Sequence, residues 1–391
     1  MIPVSAALDQ LFQLVTTVGT EEVPLAKANG RVLRADAVAR RDQPPFDGSA
    51  MDGYAVKNAE AVPGARLTVI GESAAGHGFA DTVGAGQAVR IFTGAPVPAG
   101  TDRVIIQEDV SRDGDTITLG DTLDQGHHIR PRGVDFADGS ALTAPRLLRP
   151  ADIALLAAMN IPAVTVSRRP TVALISTGDE LVMPGGTPGP DQIMVSNTFG
   201  LAALLRDLGA APRMLPIARD TQPSLEMAFE LAADADLVVT IGGASVGDHD
   251  LVGKVAADLG MARSFYKVAM RPGKPLMAGR LKSGAMMVGL PGNPVSAMVC
   301  GHVFLAPVLR GFLGLPMGPA PRRRAPLAAD LAANGPREHY MRGTLTEGAV
   351  SLAAQQDSSL LSVLSSANVL VIRPPSAPAV PAGTMVDYIE I

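Results

Sequence analysis

The run Gly242-Gly-Ala-Ser-Val-Gly-Asp-His-Asp250 places paired glycines, a serine and carboxylates in one short stretch. Glycine lets the main chain take conformations closed to other residues and lets a ligand approach it closely. Aspartate offers oxygen donors or a helix cap. The same grammar recurs at Thr177-Gly-Asp-Glu180, at Arg219-Asp220 and at Pro291-Gly-Asn-Pro294, where Asn293 is placed to cap and Pro294 takes the first helical position. Arg271-Pro-Gly-Lys274-Pro275 adds two cations on a proline-bounded loop. Glycine turns carrying charge of both signs are the make-up of a polyanion site with a bridging metal. Two carboxylates about 4 Å apart repel by roughly 4 kcal/mol at an effective dielectric near 20. A divalent cation shared by Glu180, Asp220 and Asp250 would remove that cost, and magnesium suits carboxylates, phosphate oxygens and water. Arg271 and Lys274 would hold a second anion by charge-assisted hydrogen bonds. The plainer reading has the acids capping helices and the cations pairing with them at the surface.

Three of these turns each end a short apolar run. Thr171 to Ser176, Leu237 to Ile241 and Met286 to Leu290 are too short for helices and read as buried strands. Helical spacing is predicted for Asn197 to Leu208, Ser224 to Ala233, Val252 to Leu259 and the apolar Val295 to Leu309. Alternation of this kind from Pro170 to about Leu315 means a mainly parallel sheet covered on both faces, with ligands beyond the carboxyl ends of its strands. Upstream, the spacing predicts a helix over Ser5 to Val18 capped by Ser5. Short β-type runs follow at Leu67 to Ile70, Ala88 to Phe92, Arg103 to Ile106 and Thr116 to Leu119. Pro150 to Met159 reads as a helix and Ala163 to Ser167 as a strand. Pro316 to Pro326, with Arg322 to Arg324 inside it, reads as a solvated linker before a β-patterned tail. The expected fold is therefore a multi-domain α/β chain. It comprises a discontinuous mixed α+β domain (1–45 plus 141–169), an inserted small β domain (46–140), a central three-layer α/β domain (170–315) and a C-terminal β domain (316–391).

Composition narrows the function classes. The 391 residues are 47% hydrophobic and 18% charged, which suits a globular chain of several domains. A formal charge of −5 gives no general affinity for nucleic acid or anionic membrane. With no Trp and 4% aromatics, base-stacking platforms are not expected. The single cysteine, Cys300, excludes an internal disulfide and fits a reducing cytoplasm. Met1-Ile-Pro-Val-Ser lacks the pattern of a signal peptide, and no run reaches the roughly 18 apolar residues of a membrane span.

Known motifs discriminate further. No Gly-x-Gly-x-x-Gly follows a strand, and Gly247 to Lys254 is one residue too long for a P-loop and lacks the following Ser or Thr. Gly243-Ala-Ser-Val-Gly247 does match the Gly-x-Ser-x-Gly nucleophile elbow, with His302 and His339 downstream. A serine hydrolase using Ser245 is thus the rival, although an elbow passes directly from strand to helix and here acidic residues lengthen the loop.

Six blocks taken together resemble one family. Pro45-Phe-Asp-Gly-Ser-Ala-Met-Asp-Gly-Tyr-Ala55, Thr93-Gly-Ala-Pro-Val-Pro98, Ser176-Thr-Gly-Asp-Glu-Leu181, Gly242-Gly-Ala-Ser-Val-Gly-Asp248, Arg271-Pro-Gly-Lys-Pro275 and Gly289-Leu-Pro-Gly-Asn-Pro-Val-Ser296 are similar, in order, to the signature blocks of the molybdopterin molybdenumtransferases, the bacterial MoeA and gephyrin E-domain family. The resemblance implies an elongated homodimer of four-domain subunits with clefts at the subunit interface. It implies adenylylated molybdopterin and molybdate as substrates, magnesium as cofactor, and release of AMP as molybdenum is placed on the dithiolene. It further implies that Asp52, Thr93 and Asp135 contribute to the cleft, and that Glu180, Asp220, Ser245 and Asp250 hold pterin, phosphate and metal. Gly242, Gly243, Lys267, Pro291, Asn293 and Pro294 would contact substrate, and Arg271, Lys274, Pro275, Arg342 and Ser358 would line the molybdate pocket. Gly48, Ala244 and Arg271 depart from the residues common in the family; Arg271 keeps the charge of the usual Lys but changes the geometry of anion contact. A molybdopterin adenylyltransferase and molybdenum-enzyme chaperones are the expected handover partners, and a non-catalytic molybdopterin carrier is a third reading.

Overall fold

Thr171–Ser176, Leu237–Ile241 and Met286–Leu290 lie side by side in parallel, Val239 opposite Leu174 on one flank and opposite Val288 on the other. They form the middle of a six-stranded sheet in a computed structural model that describes residues 1–243 and 251–391. Ala211–Met214 extends the parallel set at one edge, while Met277–Arg280 and Ala262–Tyr266 close the other edge antiparallel.

Side chains alternate across a strand, so each strand feeds two cores. Val172, Leu174, Val239 and Leu290 pack with Leu201 and Leu205 of helix Asn197–Asp207 and with Val295, Val299 and Phe304. Ala173, Ile175, Val238 and Met287 pack with Leu225 and Phe229 of helix Gln222–Leu231 and with Val252 and Val255 of helix Leu251–Asp258. The result is the helix–sheet–helix sandwich expected from the alternation. Its longest helical run joins Pro294–Cys300, a π turn at Gly301–Leu305 and Ala306–Phe312. Pro307 has no N–H for the carbonyl four residues back, and the π turn lies just before it. At 19 residues the run is longer than expected and apolar enough to span a bilayer, but 78% of its most apolar window is buried, the pattern of a core helix.

The chain divides into two units. The first comprises Met1–Glu21, Gly30–Arg34 and Val166–Ile391; the second comprises Glu22–Asn29 and Ala35–Thr165. Within the first, a second sheet runs Met270–Arg271, Glu338–Thr346, Val369–Arg373, Met385–Glu390, Arg323–Pro326, with Ala349–Leu352 paired to Glu338–Thr346. Arg271 sits opposite His339 in that sheet, so the cationic loop is anchored on the C-terminal strands. The second unit is built on a six-stranded sheet in the order Arg103–Ile106, Gly53–Val56, Gln87–Ile91, Arg66–Ser73, Thr116–Leu119, Val110–Asp113. Tyr54, Val56, Leu67, Ile105 and Ile117 fill its core.

Three expectations are corrected. The first helix is Val4–Leu14, entered from Pro3 without a side-chain cap. Val4 is buried, so the chain turns helical one residue before Ser5 to use it, and the β-branched Val15-Thr-Thr-Val18 leaves the helix early. Arg322 to Arg324 is no solvated linker. Arg323–Pro326 is a strand paired with Met385–Glu390, Arg323 bonds Glu390 at 2.7 Å, and Arg324 and Arg322 lie 3.5 and 3.6 Å from Asp387 and Glu338. Charge complementarity across the two strands offsets the high positive charge of the run. Finally, Asn293 occupies the cap position but its side chain makes no capping bond; its partner is described below.

Candidate active site

Beyond the carboxyl ends of the parallel strands lies a cavity of about 570 Å³. Its wall includes Thr177, Gly178 and Glu180 after the first strand, Asp220 after the edge strand, and Gly242 and Gly243 after the third. Pro291, Gly292, Asn293 and Pro294 after the fourth complete that side, and Pro275 and Ser359 close it. Gly242 and Gly243 have φ of 95° and 66°, conformations that disfavour any other residue. A Cβ on Gly242 would stand 2.7 Å from the Thr177 carbonyl, and one on Gly243 2.3 Å from a Val252 methyl. These glycines therefore keep neighbouring strand tips in contact and leave main chain facing the cavity.

Glu180 and Asp220 share that wall, and both are exposed. Asp179 Oδ1 accepts a hydrogen bond from the Asp220 N–H at 3.4 Å, and Arg219 donates to the Asp179 carbonyl at 3.0 Å. Asp220 has its pKa raised, first by partial burial and then by the charges of Asp179 and Glu180. An acid pushed up by other acids is a set of hard oxygen donors short of positive charge, which fits a divalent cation. Among the described residues no three metal-ligating side chains already converge, so Glu180 and Asp220 are a partial donor set.

Asn293 Nδ2 donates to Ser358 Oγ at 3.1 Å, and the Ser358 carbonyl accepts from the Val295 N–H at 3.1 Å. The start of helix Pro294–Cys300 is thereby tied to the loop that carries Asp357. The Asp357 carbonyl accepts from Arg342 Nη1 at 2.7 Å. Arg342 is only 1% exposed, yet it has no carboxylate within ion-pair reach among the described residues. Burial lowers its pKa and the Arg271 charge lowers it further, against the opposing charge of Asp357. Arg271 is exposed and Lys274 half-buried, and neither has an acid partner among the described residues. A buried cation without an acid partner, as Arg342 is among the described residues, carries a standing cost that a bound anion would relieve. Lys267, at φ 71°, lies with its Nζ 4.8 Å from the Tyr266 ring centre.

In the second unit, Asp52 Oδ1 accepts from both the N–H and the hydroxyl of Thr93, at 2.7 and 2.8 Å. The Thr93 N–H, then its hydroxyl, lower the Asp52 pKa and keep it ionised. Asp52 is thus more than the hairpin turn residue its following glycine suggests. Asp135 donates its N–H to the Gln43 carbonyl at 3.0 Å, which fixes its backbone and leaves its carboxylate without a described bond. Ser245 and Asp250 lie outside the described residues. The histidines that a hydrolase would use are both desolvated: burial lowers the pKa of His302 to about 4, and burial with Arg271, Arg342 and Arg337 lowers that of His339 to about 4.

The family profiles "MoeA N-terminal region (domain I and II)", "Probable molybdopterin binding domain" and "MoeA C-terminal region (domain IV)" match residues 2–160, 173–311 and 324–391. A Nostoc protein named molybdopterin molybdenumtransferase is 40% identical over 336 residues, covering 83% of this chain and 77% of that protein. A Mycobacterium tuberculosis protein named molybdopterin molybdenumtransferase 2 is 38% identical over 94% of both. The chain belongs to the MoeA family. Among solved structures, a molybdopterin biosynthesis MoeA protein of Pyrococcus horikoshii superposes with a TM-score of 0.84 at 31% identity, covering 100% of this chain and 99% of the other. Membership in the MoeA family does not favour the serine-hydrolase reading of the Gly-x-Ser-x-Gly match.

Several residues around this MoeA-family cavity escape the sequence reading. Asn197 Nδ2 donates to the Gly292 carbonyl at 2.7 Å and holds the Pro291–Pro294 turn; its only sequence signal is an amide at a helix start. Ile193 and Met194 line the cavity from a two-stranded ribbon with Leu181–Val182, 58% and 38% exposed. Exposed apolar residues in a Gly/Pro-rich loop carry no periodicity that marks them. Gln356, which precedes Asp357, gave no signal either.

Proposed function

We propose that this chain is a molybdopterin molybdenumtransferase: it takes adenylylated molybdopterin and molybdate and produces the molybdenum cofactor and AMP. The observation that supports it best is the pairing of two kinds of site in one unit. A glycine-walled, acid-lined cavity at the strand ends stands next to a buried cation with no carboxylate in ion-pair reach among the described residues, and the Asn293–Ser358 bond ties the two together.

The residues divide the work by charge. Main chain at Gly242 and Gly243 and the turn at Pro291 to Pro294 accept the substrate's phosphates and ring system in the cavity. Arg271, Lys274 and Arg342 hold and orient the oxyanion, a compact dianion, by charge-assisted hydrogen bonds. Pro275 and Ser358 shape the same pocket. Magnesium, held by Glu180, Asp220 and Asp250, would supply charge neutralisation for the pyrophosphate. Asp220, whose charge is opposed by Asp179 and Glu180, is ready to bind a cation and reluctant to stay ionised without one. Such preorganised charge is the usual largest contribution to phosphoanhydride cleavage. Asp52, Thr93 and Asp135 of the second unit, and Lys267 of the first, are further candidate substrate contacts, and the working form is a homodimer. The enzyme works in the cytoplasm, receives its substrate from an adenylyltransferase and passes the product to molybdenum-enzyme chaperones.

Asp220→Asn and Glu180→Gln test the acid side. Both are expected to slow molybdate-dependent AMP release while the variants remain folded; unchanged release in both would refute this placement. Labelling of Ser245 by a fluorophosphonate probe, abolished in Ser245→Ala, would instead support the hydrolase.

A further inference from the structure

Gln356 grips Arg342 at three points. Its Oε1 accepts from the Arg342 N–H at 2.9 Å and from Arg342 Nε at 3.1 Å, and its Nε2 donates to the Arg342 carbonyl at 2.9 Å. A fourth bond, from Nε2 to the Ala353 carbonyl at 2.9 Å, fixes the amide itself. With Nη1 directed to the Asp357 carbonyl at 2.7 Å, Nη2 is the one guanidinium nitrogen without a hydrogen bond to a described residue. Every acceptor around this 1% exposed cation is therefore neutral.

We infer that Gln356 is a positioning residue for oxyanion selection, orienting Arg342 through a neutral amide so that Nη2 stays free for the anion and no carboxylate is hydrogen-bonded to the guanidinium. The inference rests on the reading of Arg342 as part of the molybdate pocket. The chemistry explains why an amide stands here. An acid at 356 would bind Nε more strongly but would cancel the charge the anion needs. An apolar side chain would leave the charge but release the long, flexible arginine from one geometry. Because the same side chain also pairs with the Arg342 backbone, strand position and guanidinium orientation are set together.

The test is the steady-state dependence of AMP release on molybdate for Gln356→Met and Gln356→Glu, with Arg342→Ala as reference. Gln356→Met is expected to raise KM for molybdate about tenfold while kcat at saturating molybdate and KM for adenylylated molybdopterin are held. Gln356→Glu is expected to raise KM for molybdate further. A merely structural role would instead lower kcat and weaken both substrates in step with a falling Tm, and that pattern would overturn the inference. Unchanged KM for molybdate in both Gln356 variants, with affinity lost in Arg342→Ala, would overturn the inference alone. Unchanged affinity in Arg342→Ala would overturn the pocket reading and the inference with it.

Discussion

Asn293 and Ser358, 65 residues apart in the chain, meet side chain to side chain at 3.1 Å and join the strand-end cavity to the loop that holds Arg342. The bond spends the amide that would otherwise cap helix Pro294–Cys300. A helix cap has thus been exchanged for a link between the α/β sheet and the C-terminal strands. Ser358→Ala should cost no more than about 1 kcal/mol of stability, the worth of one partly exposed hydrogen bond. Its effect on catalysis should be larger, about tenfold in kcat/KM for molybdate, because loss of register at a binding site is amplified in rate. Chemical denaturation and initial rates on the same preparation separate the two.

Asp220 should show the opposite balance. Burial and the charges of Asp179 and Glu180 both oppose its ionised form. Asp220→Asn removes that repulsion, so Tm is expected to hold or rise slightly. The magnesium concentration for half-maximal AMP release is expected to rise at least about tenfold as a carboxylate donor is lost. A variant that is less stable yet unaltered in its magnesium requirement would contradict the assignment.

Acid stability should depend on a residue far from the chemistry. Asp236 accepts from Arg168 Nη1 and Nη2 at 2.7 and 2.5 Å and from the Thr171 N–H and hydroxyl at 2.8 and 2.9 Å. Burial raises its pKa, but these hydrogen bonds outweigh burial and leave it lowered. A folded-state pKa below the unfolded one gives stability that is complete above the unfolded value and lost as pH falls through the folded one. The Arg168 side chain is 41% exposed, so screening limits the contribution to about 1 kcal/mol. Urea midpoints measured from neutral pH down to about pH 3 should fall less steeply in Asp236→Asn than in the wild type.

Asp52 offers a separation of fold from function in the second unit. Asn at this position can still accept from the Thr93 N–H and hydroxyl, so the turn should survive in Asp52→Asn and Tm should change little. AMP release should nevertheless fall if the carboxylate charge serves the cleft. Equal loss of Tm and activity would point to a structural role only.

The cavity was legible because strand, glycine turn and charge occur in an unbroken local order. Thr177 to Glu180, Gly242-Gly243 and Pro291 to Pro294 each follow an apolar run, and a parallel sheet brings such ends together whatever the details of packing. Residues whose role depends on distant partners were hidden. Gln356, in a loop, bonds the backbone of Arg342 on strand Glu338–Thr346, and Arg323–Pro326 pairs as a strand with the distant Met385–Glu390, whose Asp387 and Glu390 meet Arg324 and Arg323. Asn293 bears the pattern of a cap and bonds elsewhere, since a tertiary partner outbids a local one. The early end of the first helix is a weaker case of the same kind: the β-branched run after Leu14 signalled it, but the apolar spacing carried past it.

The central claim is that molybdate insertion and AMP release are one coupled event on this chain. The decisive measurement is the amount of AMP formed and of molybdenum bound to the dithiolene when pure protein meets adenylylated molybdopterin, with and without molybdate. The account predicts the two in equal amounts when molybdate is present, and little of either when it is left out. AMP appearing at the same rate without molybdate, or ligand bound with no AMP formed under either condition, would contradict it.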